Sequence, residues 1–281
     1  MTPGRMTQGR DRVPAREVLR LAAPALPVLA AEPLYLLVDT AVVGRLGAVA
    51  LAGLSVAGVM FAQVTSQLNF LSYGTTARAA RLHGAGRRGG AVGEGVQATW
   101  LALAVGLLVI VAGQLVARPV AEALGDGGAI ADAAVSWLRV ALFGAPLVLV
   151  TLAGNGWMRG VQDTARPLRY VLAGNAVSAL SCPVLVHGAG GSAGFGLVGS
   201  AVANVAGQTI GAALFLGALV RVARAEQVRL RPDPSVLRAQ LSLGRDLLAR
   251  TLAFQACYLS AAAVATRFGA ATAAARVVVR R

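Results

Sequence analysis

Two carboxylates, Glu32 and Asp39, stand inside an otherwise apolar stretch, Leu21–Gly44. A helix of about 20 such residues crosses a bilayer. An acid near mid-membrane costs about 2.5–3.5 kcal/mol on insertion scales. The two acids are seven positions apart and so share nearly one helical face. Pro24, Pro27 and Pro33 each withhold a backbone donor, which predicts a bent or loosened helix. Acids kept at that cost mark proton or cation sites inside a bundle. The other reading is a pair satisfied by polar neighbours, with no transport role.

Further polar groups recur in apolar surroundings. Gln63, Gln67, Asn69, Thr75 and Thr76 crowd the second half of the next apolar run. Asn175, Ser178, Ser181 and Cys182 lie in a later run, and Ser200, Asn204 and Gln208 in the one after it. At this density such residues face a bundle interior or water rather than lipid. Glu32, Gln63, Gln67 and Asn69 are therefore candidates to line a cleft.

Other chemistries find little support. Cys182 and Cys257 sit in apolar runs and fit neither a disulfide framework nor a metal-ligand spacing. His83 and His187 fall in predicted loops far apart in sequence. No nucleophile–base pairing stands at a recognisable spacing, so an enzyme is not expected. Neither a cofactor nor a metal is expected beyond a coupling ion.

The elements that must position these groups are membrane spans. Of 281 residues, 56% are hydrophobic, and mean hydropathy is +0.66. The fold class is all-α, a polytopic membrane helix bundle. Seven spans are predicted: 21–43, 49–77, 96–117, 133–158, 168–186, 197–220 and 247–266, with a kink at Pro146 and a polar loop over 221–245. All 26 basic residues are arginine, and 12 acids leave a net charge of +14. The arginines lie between the apolar runs, which argues for topology rather than for nucleic-acid binding. The N-terminal tail and the loops after spans 2, 4 and 6 are arginine-rich. The loops after spans 1, 3 and 5 hold at most one arginine each. The positive-inside rule then places the N-terminus and the even loops in the cytoplasm of a plasma (inner) membrane protein.

Arg45-Leu-Gly-Ala48 recurs as Arg267-Phe-Gly-Ala270 after an apolar run of similar length. Such a repeat suits a transporter built of two units, although chance similarity between Ala/Gly-rich helices is the alternative. On the first reading, residues 1–16 are a disordered cytoplasmic tail, 17–240 form a six-helix unit, and 241–281 begin a second unit.

Several segments carry a family resemblance. Pro33-Leu-Tyr-Leu-Leu-Val-Asp-Thr-Ala-Val-Val-Gly-Arg-Leu-Gly47 resembles the first helix of multidrug and toxin extrusion (MATE) transporters of the DinF-like branch. Ser72-Tyr-Gly-Thr-Thr-Ala-Arg78, Arg159-Gly-Val-Gln-Asp-Thr-Ala-Arg-Pro167, Gly196-Leu-Val-Gly-Ser-Ala-Val-Ala-Asn204 and Gly244-Arg-Asp-Leu-Leu-Ala-Arg250 follow in the family's order. The resemblance implies two six-helix lobes around a cleft and efflux of amphipathic, often cationic compounds in exchange for protons or sodium. It makes Asp39 the coupling residue. Its fifth-helix partners fall on Asn175, Ser178 and Cys182, where the family often has Asn at the Ser178 position and Asp at the Cys182 position. The sixth-helix polar position falls on Asn204 and the fourth-helix Asn on Asn155. The expected partners are small amphipathic substrates, the bilayer, and a second lobe or copy to complete the cleft. One lobe alone is expected not to transport. The alternatives are a lipid-linked-precursor flippase of related architecture and a non-transporting remnant or half-transporter.

Overall fold

A computed structural model describes residues 26–124, 128–188 and 193–267. The tail 1–16 and the stretch from 268 onward lie outside that set, as does the side chain of Glu32. Nine α-helices are found among the described residues: α1 (Leu26–Gly44), α2 (Ala48–Gln67), α3 (Phe70–Gly84), α4 (Arg88–Leu124), α5 (Gly128–Ala141), α6 (Ala145–Gly160), α7 (Ala165–His187), α8 (Leu197–Ala225) and α9 (Pro234–Arg267). Five stretches are long and apolar enough to cross a membrane: Ala48–Gly84, Arg88–Leu124, Gly128–Gly160, Ala165–His187 and Leu197–Ala225. They coincide with predicted spans 2 to 6. The α1 and α9 helices occupy the positions of spans 1 and 7.

Two predicted spans are each built from two helices. Between α2 and α3 the ladder is interrupted at Leu68 and Asn69. Just before the break, Thr65 donates its hydroxyl to Phe61 O and Ser66 donates to Gln63 O. Hydroxyls that return to the preceding turn compete with the helix backbone and loosen it. The other break is the 3-10 turn Leu142–Gly144 between α5 and α6, with Pro146 in the first turn of α6. Proline is tolerated there because that N–H has no helical partner.

The predicted polar loop 221–245 is mostly helix. Here α8 runs to Ala225 and α9 starts at Pro234, so the connector spans only 226–233. Arginine is a good helix former, and its polarity reports exposure rather than loop. Three helices close in the same way at this end of the bundle. Their C-terminal residues Gly86, Gln162 and Gln227 have φ of 74°, 65° and 54°. Backbone bonds Arg87 N to Leu82 O, Asp163 N to Met158 O and Val228 N to Ala223 O complete Schellman caps at 2.9, 2.9 and 2.8 Å.

Close helix contacts depend on glycine. A Cβ on Gly174 of α7 would lie 2.7 Å from Gly207 O on α8, and one on Gly156 of α6 would lie 2.5 Å from Ser72 O on α3. In lipid, where apolar side chains gain little by leaving the solvent, such backbone approach is the main source of helix association.

A carboxylate-centred cavity as candidate functional site

Helices α1, α2, α5, α6, α7 and α8 line a half-open cavity of about 650 Å³. Its single acid among the described residues is Asp39, which is 5% exposed. Asp39 sits one turn after Tyr35 on α1, so both side chains meet the cavity. On α7, Gly174, Asn175 and Ser178 line the cavity, with Cys182 one turn beyond; on α8, Asn204, Gly207, Gln208 and Gly211 do the same. These spacings are the i, i+3, i+4, i+7 stripe of one helix face. The Gly174–Gly207 contact brings the two stripes together.

Two donors converge on one oxygen of Asp39. Ser200 Oγ–H donates to Oδ1 at 2.6 Å, and Cys182 Sγ–H donates to the same atom at 3.2 Å. Ser200 in turn accepts Trp137 Nε1–H at 3.1 Å. Ser200 and Cys182 are fully buried. Beside this chain, Asn204 Nδ2–H donates to the Tyr35 hydroxyl at 2.8 Å. Three buried polar atoms on the lining have no protein partner: Ser178 Oγ, Asn204 Oδ1 and Thr151 Oγ1. Unpartnered buried polar atoms are costly unless a ligand, ion or water engages them. The site thus offers one carboxylate, a phenol, an amide and hydroxyls in otherwise apolar surroundings. That chemistry suits a proton or an organic cation with hydrogen-bonding groups.

Of the residues expected at the site, Asp39, Asn175, Ser178 and Asn204 line the cavity and Cys182 touches Asp39. Gln63, Gln67, Asn69 and Asn155 are not on its lining. Gln63 is exposed, and Asn69 donates to Ser66 O at the helix break. Gln67 Oε1 and Asn155 Oδ1 are buried without a partner. The sixth-helix contact to the acid comes from Ser200, one turn before Asn204, while Asn204 binds Tyr35. Tyr35, Trp137, Thr151 and Ser200 were not singled out as site residues. For Tyr35 and Ser200 the available signal was a polar residue four positions from an expected one.

Exposed His187 at the end of α7 reaches back to α1, with Nε2 3.2 Å from Val42 O. Among the described residues, no group of three His, Cys, Asp or Glu side chains is placed to hold a metal ion.

Five membrane-length apolar stretches pack with α1 around a buried acid as a polytopic membrane bundle, and the MatE family profile matches residues 24–184. The chain belongs to the MatE family and is an integral multi-pass membrane protein. It is 31% identical over 267 residues to Protein DETOXIFICATION 44, chloroplastic, of Arabidopsis thaliana, covering 90% of this chain and 50% of that protein. It is 27% identical over 249 residues to DNA damage-inducible protein F of Escherichia coli (strain K12), covering 87% and 54%. A MATE crystal structure in the bent conformation superposes with a TM-score of 0.76 at 24% identity, over 92% of this chain and 58% of that one. An outward-facing multidrug resistance MATE family transporter superposes at 0.74 and 24%, over 89% and 55%. The chain spans about half the length of the relatives it matches.

Proposed function

We propose that this chain forms the ion- and substrate-binding half of a proton-coupled efflux antiporter for amphipathic cations. The observation that carries this reading is the buried carboxylate of Asp39 on the wall of a 650 Å³ cavity with three unpartnered polar atoms. A proton and an organic cation would compete for that one negative charge, and such competition is the basis of exchange. The donor set favours a proton over sodium. The two groups that touch the carboxylate, Ser200 and Cys182, both use it as acceptor, and one of them is a thiol rather than an oxygen ligand. A thiol is also a poor ligand for a hard cation.

We assign the N-terminus and the α3–α4, α6–α7 and α8–α9 connectors to the cytoplasm, because the arginines cluster in these segments and on the helix ends that flank them. A cysteine at Phe195 is expected to label from outside and one at Gly86 is not; the reverse would invert the topology. A second lobe is taken to complete the cleft, since the matched relatives are about twice as long. The function is tested by ethidium extrusion under an imposed proton gradient, with this chain joined to a second lobe in a full-length transporter. Asp39→Asn, which keeps size and removes the charge, is expected to abolish proton-driven extrusion at unchanged protein level. Undiminished extrusion by the mutant would remove Asp39 from the mechanism.

A further inference from the structure

The connector 226–233 and the start of α9 lie along one face of α4. Val228 packs over Gly89 and Gly93, where an added Cβ would stand 3.7 and 3.9 Å from its methyl groups. Gln97 uses both ends of its amide: Nε2–H donates to Arg231 O at 2.9 Å, and Oε1 accepts Asp233 N–H at 2.7 Å. Trp100 Nε1–H donates to Leu230 O at 2.8 Å. Seven residues after Asp233, Gln240 Nε2–H donates to Glu94 O and to Glu94 Oε2 at 3.1 and 2.9 Å. Glu94 is itself held by Arg78 of α3 in a two-pronged pair at 2.7 and 2.7 Å. Gly244 lies against the Phe70 ring. Positions 89, 93, 94, 97 and 100 form one continuous stripe of α4.

We propose that residues 226–244 are a strap that belongs mechanically to the first helical unit, clamped on α4 by Gln97, Trp100 and Glu94. The start of α9 is thereby fixed to α3 and α4, and movement of the rest of α9 begins beyond Gly244. The carbonyls and amides of a charged connector would ordinarily face water. Here side chains of α4 satisfy them, and the carboxamide of Gln97 donates and accepts at once through its two ends. The contacts span three elements, so loss of one leaves the rest under less constraint but not free. This inference stands whether or not the chain transports.

Amide hydrogen exchange on the purified chain in lipid nanodiscs tests it. In the unmodified protein the amides of 233–240 are expected to be protected to the degree of those in α8. Gln97→Leu keeps volume and removes both bonds; exchange across 228–240 is expected to rise about tenfold or more, with α7 and α8 unchanged. Trp100→Phe is expected to give a smaller rise. With Cys257→Ser as background, Gly93→Cys with Val228→Cys is expected to cross-link, since a Cβ at Gly93 would stand 3.9 Å from the Val228 side chain, and to leave ethidium affinity unaltered. Unprotected strap amides in the unmodified protein, no change in Gln97→Leu, or failure of the pair to cross-link would each overturn the proposal. Absence of ethidium binding to the unmodified protein would count against the transport reading and leave the strap untouched.

Discussion

Replacing Ser200 by Ala removes one hydroxyl that makes two bonds in a fully buried place. One is the 2.6 Å donation to Asp39 Oδ1, and the other is the 3.1 Å bond accepted from Trp137 Nε1. A hydrogen bond to an ionised partner contributes about 1.5–3 kcal/mol. A neutral side-chain bond in a membrane bundle contributes about 0.6 kcal/mol and at most about 1.7. The carboxylate bond should therefore dominate, and Ser200→Ala should destabilise the bundle by about 2–4 kcal/mol while Asp39 is charged. A double-mutant cycle separates the two bonds. Asp39→Asn should erase most of the cost of Ser200→Ala, and Trp137→Phe should erase only about 0.6–1.7 kcal/mol. A bond to a neutral acid is weaker than one to a carboxylate, so the cost should shrink once Asp39 is protonated. The assay is reversible unfolding in mixed micelles of increasing SDS content, run at high and low pH. A cost below about 0.5 kcal/mol, or one untouched by Asp39→Asn, would refute the chain Trp137–Ser200–Asp39.

Other expectations can be checked in the same unfolding assay. Gly174→Ala should cost about 1–3 kcal/mol, because its Cβ would stand 2.7 Å from Gly207 O on a neighbouring backbone. Gly217→Ala on the same α7–α8 pair meets open space and should stabilise by about 0.5–1 kcal/mol. Gln227→Gly should also stabilise, since φ of 54° is strained for a residue with a Cβ. Asp233 caps α9 by accepting from the Ser235 hydroxyl and amide at 2.6 and 2.9 Å, and these bonds lower its pKa below the usual value of 3.8. A lowered folded pKa means the cap supports α9 above the unfolded value and loses that support as pH falls through the folded one. Protection of the first amides of α9 should therefore drop in acid, and Asp233→Ala should remove this pH dependence.

Much of this architecture was legible because each level of the pattern agreed. Long apolar runs, arginines between them and prolines near helix ends point to the same spans. The Leu68–Asn69 break was not legible, because it depends on hydroxyls bonding back to the preceding turn, which polarity alone does not distinguish from cleft lining. The same ambiguity applies to Gln63 and Asn69, which lie off the lining of this cavity. The overestimate of the 221–245 loop came from reading arginine density as irregular structure, when Asp233, Pro234 and Ser235 carry the true start signal. At the site, Asp39 was conspicuous because a buried acid is costly. Ser200 and Tyr35 were not, because a hydroxyl in a membrane helix is common and only the register between α1, α7 and α8 brings these groups to the acid. That register is set by Gly174 against Gly207, a contact invisible until the helices are paired.

The central claim is that a proton and an organic cation compete for Asp39. Calorimetric titration of the purified chain with ethidium, in buffers of different ionisation enthalpy, measures the protons released on binding. The account predicts release of about half a proton at the pH at which Asp39 is half-ionised in the unliganded protein, rising toward one at lower pH, and lost together with most of the affinity in Asp39→Asn. Binding of equal strength to both proteins, with no proton exchanged by either, would contradict it.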